Sequence, residues 1–196
     1  MGGIGSISDN DRGLIFPESV INYFSFLDSL GFAIIERSPL TVRYSRDKLV
    51  VMIYYGRLSY IMGVDISYEG EDYSLYDILS FIGISDSKVL TGYAAVTAEQ
   101  ICVGLSGLAE SLKTYAPNAL KGDEHFYQRL KLFKYKAIER YQAEALYRQI
   151  SPEANEAFRL KDYVRAISLY EKISSSLAPS ENKKLVYARE KSKIDS

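Results

Sequence analysis

Apolar and polar positions alternate with a period of two through much of residues 32–68, the signature of strands with one covered face. Tyr60, Met62, Val64, Ile66 and Tyr68 fall on one side of the last run. Ser59, Gly63, Asp65 and Ser67 fall on the other, with Ile61 the apolar exception, so this strand has one wet face. The run from Leu49 to Tyr55 is continuously apolar and reads as a central strand covered on both faces, which calls for helices as its neighbours. Gly56-Arg57 suits a two-residue hairpin, Arg46-Asp47 separates a strand over residues 41–45, and Ser38-Pro39 ends a first strand over residues 32–37. Joined by simple hairpins, the four form an antiparallel meander.

Helical spacing governs the rest. Val20, Ile21, Phe24, Leu27 and Leu30 predict a helix over 17–30 that starts at Pro17 and ends at Gly31, with Phe32 making the contact beyond the cap. Residues 68–73 form an acidic turn. Ser74 and Asp77 then make a capping-box pair for a helix over 74–82 that carries Leu75, Ile78, Leu79 and Ile82, and Gly83 closes it. Residues 84–96 read as either a short strand or an extended connector. Thr97 and Gln100 open a helix with Ile101, Leu105, Leu108, Ala109 and Leu112 on one face, running to Pro117. Gly122-Asp123 starts the longest helix, to about residue 150, with a stripe of Phe126, Leu130, Phe133, Ala137, Tyr141 and Ala145, and Pro152 restarts the chain as a shorter helix. The fold class is therefore α+β: a flexible segment 1–13, an α+β module 14–96 with a four-stranded antiparallel sheet, and an α-helical module 97–196.

Composition adds two facts to this layout. The chain of 196 residues has a net charge of −1, but residues 1–118 hold 14 acids against 8 bases and residues 119–196 hold 11 against 16. Such asymmetry fits two differently charged modules, or a surface for a partner of opposite charge. There are 17 Tyr and no Trp, many of the Tyr in or near the sheet, and an exposed group of them suits a protein interface. A single Cys excludes an internal disulfide, and no apolar run has membrane length, so the expectation is a cytoplasmic chain without a membrane span. Met1-Gly2 with Ser6 fits the short N-myristoylation pattern, but no polybasic second signal follows.

The C-terminal stretch resembles one tetratricopeptide-type hairpin through Ala154, Ala157-Phe158, Lys161-Asp162-Tyr163, Ala166-Ile167, Tyr170 and Glu171-Lys172, with Pro179 near where such a repeat ends. It departs from that family at Ile150, where a large aromatic is usual, and at Lys161, where Gly is usual. A lone unit must dock its open faces on neighbouring helices, and the resemblance carries no binding residue to this chain. More loosely, residues 17–83 are similar in layout to small α+β bacterial toxin-immunity proteins. The similarity lies in Tyr23-Phe24 and Phe26-Leu27 before Gly31-Phe32, then Val42-Arg43-Tyr44, then Tyr73-Ser74-Leu75 leading Ile78-Leu79. It implies a protein that blocks a toxin by direct binding.

Catalytic chemistry finds little material. His125 is the one histidine and sits beside Asp123-Glu124 at a helix start, where acids suit the dipole, and Cys102 falls on the apolar side of a helix as a packed residue. Asp65, Glu69, Glu71 and Asp72 offer oxygen ligands but lack the spacing of a calcium loop. The expectation is thus a non-enzymatic protein-binding chain with no cofactor and no metal. Its candidate contacts are Asp65, Tyr68, Glu69, Glu71, Asp72 and Tyr73, an acidic and aromatic surface that would capture a basic partner such as a toxin domain. The alternative is a nucleic-acid-associated regulator using Arg129, Lys131, Lys134 and Tyr135 of the long helix, where bases interleave with aromatics. An adaptor scaffold built on the helical half is the third reading.

Overall fold

The computed structural model describes residues 9–84 and 93–192, and side chains of the first helix from residue 15 onward. The myristoylation pattern and most of the 84–96 connector lie outside the described residues. Contacts divide the chain into two compact units, Met1–Leu132 and Phe133–Ser196. The division falls after residue 132 and not at 96, where the connector suggested a boundary, because the helix after the connector packs on the first helix and on the sheet.

In the first unit, helix α1 (Asp9–Tyr23) and the single turn α2 (Phe26–Ser29) precede the sheet. The helix begins eight residues before Pro17, so part of the segment read as flexible is helical and Pro17 lies within α1 instead of starting it. Pro in a helix interior forfeits one backbone hydrogen bond. Phe16 and Val20, both fully buried, anchor α1 on either side of it. The end at Gly31 follows the sequence: Gly31 takes φ +85, its N–H donates to Asp28 O at 3.0 Å, and Phe32 N–H donates to Leu27 O at 3.0 Å, a Schellman pair.

Strands β1 (Ala33–Ser38), β2 (Thr41–Arg46), β3 (Leu49–Tyr55), β4 (Ile61–Tyr68) and β5 (Glu71–Ser74) form an antiparallel meander. A sixth strand, β6 (Tyr93–Ala94), pairs with the start of β4, so the sheet has six strands where the pattern predicted four. Both additions are short and flank β4 on its outer side. The alternation in β4 is as expected, with Met62, Val64, Ile66 and Tyr68 buried. In β3, however, Leu49, Val51, Ile53 and Tyr55 are buried while Val50, Met52 and Tyr54 are only half-buried. Helices cover one face alone; on the other, neighbours across the strands shield the apolar side chains, as Tyr54 does in lying against Gly63. The β3–β4 link is also longer than two residues. Residues 56–60 form a loop in which Tyr60 N–H donates to Gly56 O at 2.7 Å and Tyr60 takes φ +57.

Helix α3 (Leu75–Phe81) starts with the expected capping box, Ser74 Oγ accepting from Asp77 N–H and Asp77 Oδ2 accepting from Ser74 N–H, each at 3.0 Å. Helix α4 (Ala98–Tyr115) has the Thr97–Gln100 box and buries Ile101, Leu105, Leu108 and Leu112. Cys102 is half-buried on α4, its Sγ 3.8 Å from Ser19 Oγ of α1. The short helix α5 (Pro117–Lys121) is tied to the sheet by Arg46. Its guanidinium lies over Phe32 at 4.6 Å and donates to Leu30 O and to Leu120 O, each at 2.6 Å. Two helix ends thereby gain a donor for a carbonyl left unpaired within the helix.

Helix α6 (Glu124–Arg159) begins in the first unit and ends in the second, and it runs unbroken through Pro152 instead of restarting there. Ser151 and Ala154 on either side of Pro152 are buried, so tertiary packing outweighs the lost hydrogen bond. Its expected stripe holds at Leu130, which is fully buried, but Tyr141 is 73% exposed. In the second unit, the end of α6, helix α7 (Tyr163–Lys172), a 3₁₀ turn (Ser174–Ser176) and helix α8 (Pro179–Ser192) enclose a core of Ala154, Ala157, Ala166, Tyr170 and Leu185. No described helix is long and apolar enough to cross a membrane.

Candidate functional site: a tyrosine-lined acidic cleft

The β4–β5 hairpin turns through Glu69 and Gly70, with φ +52 and +84. Two successive residues at positive φ match the twist of antiparallel strands, which makes this the favoured two-residue connection. The acidic turn of the sequence reading is therefore smaller than expected: Glu71, Asp72 and Tyr73 belong to β5. Because successive strand residues point to opposite faces, the six candidate contacts are divided between the two sides of the sheet. Tyr68 pairs with Glu71 and Ile66 with Tyr73, on the covered face. Asp65 pairs with Ser74, and Asp72 with Ser67, on the open face, where Ser67 Oγ donates to the Asp72 carboxylate. Four of the six come together and two do not.

The start of α6 completes the site. Asp123 caps it, its Oδ1 accepting from Phe126 N–H at 2.9 Å. Glu124, Tyr127, Gln128 and Lys131 then recur at i, i+3, i+4 and i+7, one face of the helix. The Tyr127 ring stacks on Tyr68, centroids 4.1 Å apart and planes within 2°, and meets Tyr73 at 5.4 Å with a tilt of 49°. All three tyrosines are buried. Tyr127 Oη donates to Ala119 O at 3.1 Å, and burial, with Tyr73 and Tyr68 beside it, pushes its phenol far up.

Between hairpin and helix lies a cleft of about 280 Å³ lined by Tyr68, Glu69, Glu71, Tyr73, Glu124, Tyr127, Gln128 and Lys131. Its carboxylates are held in place. Glu71 receives Lys131 Nζ from the helix and Tyr73 Oη at 3.1 Å, Glu69 receives Lys48 Nζ, and Glu124 Oε1 receives Gln128 Nε2 at 3.1 Å. The hydrogen bond to Glu69, followed by its charge, raises the Lys48 pKa. Three carboxylates against two ammoniums, Lys131 in the lining and Lys48 on Glu69, leave the cleft acidic by one charge, with tyrosine rings as its wall.

The alternative contacts fare differently. Lys131 belongs to the cleft, and the Arg129 guanidinium lies 5.5 Å from the centroid of the Phe81 ring. Lys134 and Tyr135 fall in the second unit. His125 is exposed on the first turn of α6. Among the described residues no group of three or more His, Cys, Asp or Glu is placed to hold a metal ion. Glu124, Tyr127 and Gln128 are not among the site residues expected from the sequence, where Glu124 reads only as a helix-start acid; their spacing with Lys131 is the signal that could have found them. Comparison with protein-family models, curated proteins and solved structures gives no match to this chain.

Proposed function

We propose that the chain is a non-enzymatic protein-binding protein whose acidic cleft takes a basic side chain of its partner. The observation that carries this reading is the meeting of Glu69, Glu71 and Glu124 with the rings of Tyr68, Tyr73 and Tyr127 around one cleft. Fixed carboxylates beside rigid aromatic walls suit an Arg or Lys side chain, and a surplus of negative charge speeds capture of a basic protein. In its most concrete form the partner is a basic toxin domain and the chain is an immunity protein that covers it. The loose likeness of residues 17–83 to immunity proteins supports that form. Nucleic-acid binding by α6 is the weaker reading, since Lys131 is paired with Glu71 and Arg129 faces the Phe81 ring.

The second unit reads as a tetratricopeptide-like hairpin closed by α8. Small Ala154, Ala157 and Ala166 make up most of its core, and Lys161 holds φ +62 at the turn where that family carries Gly.

The test is capture of binding proteins by the immobilised full-length chain at moderate salt, followed by titration of the recovered protein against Glu69→Gln and Glu124→Gln variants. A stoichiometric basic partner whose affinity falls at least tenfold in the double variant is the expected result. A partner indifferent to both substitutions, or nucleic acid released by salt, removes the reading.

A further inference from the structure

We propose that Lys131 is a built-in competitor for the cleft: its ammonium occupies the cation position that a partner's basic side chain must take. The inference rests on the cleft being a site for basic side chains and adds how that site is regulated. Glu71 is the carboxylate in question. Tyr73 Oη, donating at 3.1 Å, fixes one of its oxygens, and Lys131 Nζ sits on the other, bridging 60 positions in sequence. The cleft thus already holds a cation, supplied by the protein itself. Lys131 stands one helical turn beyond Tyr127 and two beyond Glu124, so its side chain approaches along the face that lines the cleft.

Exposure shows that this cation is displaceable. The side chains of Lys131 and Glu71 keep 45% and 40% of their surface in solvent, which places the pair at the mouth of the cleft. Exposed pairs of this kind are worth a factor of about five at most. An incoming guanidinium can therefore replace the ammonium, but it must first part Lys131 from Glu71 and then lie beside a like charge. Removing Lys131 leaves three carboxylates with Lys48, on Glu69, as their one remaining ammonium, and binding of a basic ligand tightens.

The test is a fluorescence-anisotropy titration of labelled hexa-arginine peptide with the full-length protein at 0.15 M salt. It compares wild type, Lys131→Met, Lys131→Gln, the charge control Arg57→Gln in the loop at the opposite end of β4, and Glu69→Gln with Glu124→Gln. Melting curves confirm that each variant folds. The expected result is binding about fivefold tighter for both Lys131 variants, no more than twofold change for Arg57→Gln, and weakened binding for the carboxylate variants. Lys131 variants that match Arg57→Gln overturn the competitor while wild-type binding sensitive to Glu69 and Glu124 leaves the cleft reading standing. Absence of binding by wild type and Lys131 variants alike overturns both.

Discussion

Substituting Glu181 tests how the second unit is held together. The residue is 4% exposed, and its carboxylate accepts from Ser151 Oγ at 2.6 Å, Asn155 Nδ2 at 2.9 Å, Tyr147 Oη at 2.9 Å and the Ala178 N–H at 3.0 Å. Asn155 extends the network, its Oδ1 accepting from Tyr170 Oη at 3.0 Å and from Lys184 Nζ. Glu181→Ala strips the acceptor from four donors. Asn155 Nδ2 keeps Ser151 O at 2.8 Å, and the half-buried Tyr147 can turn to water. The buried Ser151 hydroxyl is left, at about 1–3 kcal/mol, and the half-buried Ala178 N–H loses its cap, at about 1 kcal/mol, so the loss is about 3 kcal/mol. Glu181→Gln retains one acceptor oxygen and loses about 2 kcal/mol.

The pH dependence follows from the same contacts. Burial works to raise the Glu181 pKa, but the hydrogen bonds from Ser151, Ala178, Asn155 and Tyr147 outweigh it and hold the group below its ordinary value of 4.5. A carboxylate depressed on folding stabilises fully above its unfolded value and loses that contribution as pH falls through the folded one. Hydrogen exchange by mass spectrometry on the full-length chain reads the peptides of α7 and α8 separately from the sheet. The expected difference between wild type and Glu181→Gln is constant from pH 5 to 8, and urea titrations show it shrinking below pH 4.5. Equal protection in wild type and Glu181→Ala at pH 7, or a difference that grows as pH falls, would show that the Glu181 network does not hold the second unit together.

Three further substitutions probe packing and backbone. The Tyr44 hydroxyl is fully buried with no hydrogen-bond partner among the described residues, and burial, with Asp28 nearby, pushes its pKa up to about 12; Tyr44→Phe is expected to stabilise by about 1 kcal/mol in urea unfolding, and a loss of stability would reveal a further partner. A Cβ on Gly104 would stand 2.8 Å from Tyr93 Cβ and 2.3 Å from Met62 Cε, where α4 meets β6 and β4; Gly104→Ala gains about 1 kcal/mol in helix propensity but loses more to overpacking, for a net drop of about 1–2 kcal/mol in the same assay. Lys161 holds φ +62 at the end of α6, so Lys161→Gly should raise the stability of the second unit by about 0.5–1 kcal/mol, read by exchange in α7.

What could be read from the sequence was whatever depends on near neighbours. The capping boxes at Ser74 and Thr97 and the left-handed Gly31 and Gly83 are local devices, set by a few adjacent residues, and each stands where expected. Buried alternation in β4 was legible for the same reason. Strand β5 was hidden because four residues with two acids look like a turn, and β6 because two residues carry no period. The long helix misled in another way: a stripe at helical spacing does not say which part of it meets a core, and Tyr141 proves exposed. Half of the cleft was visible in Tyr68, Glu69, Glu71 and Tyr73, which lie within one hairpin. The other half arrives from α6 more than fifty residues later, brought there by the Tyr68–Tyr127 stack and the Arg46 ties to α2 and α5. That is why the pairing of Lys131 with Glu71 could not be read from the basic helix alone.

On the proposed function, the cleft between hairpin and α6 is where a basic partner binds. Its most direct measurement is a chemical-shift titration of the isotope-labelled full-length chain with hexa-arginine at 0.15 M salt. Saturable shifts are expected at Tyr68, Glu69, Glu71, Glu124 and Tyr127, with Asp65 and Asp72 on the open face unmoved. Saturable shifts centred on the open face or on the second unit, with the cleft residues still, would contradict it.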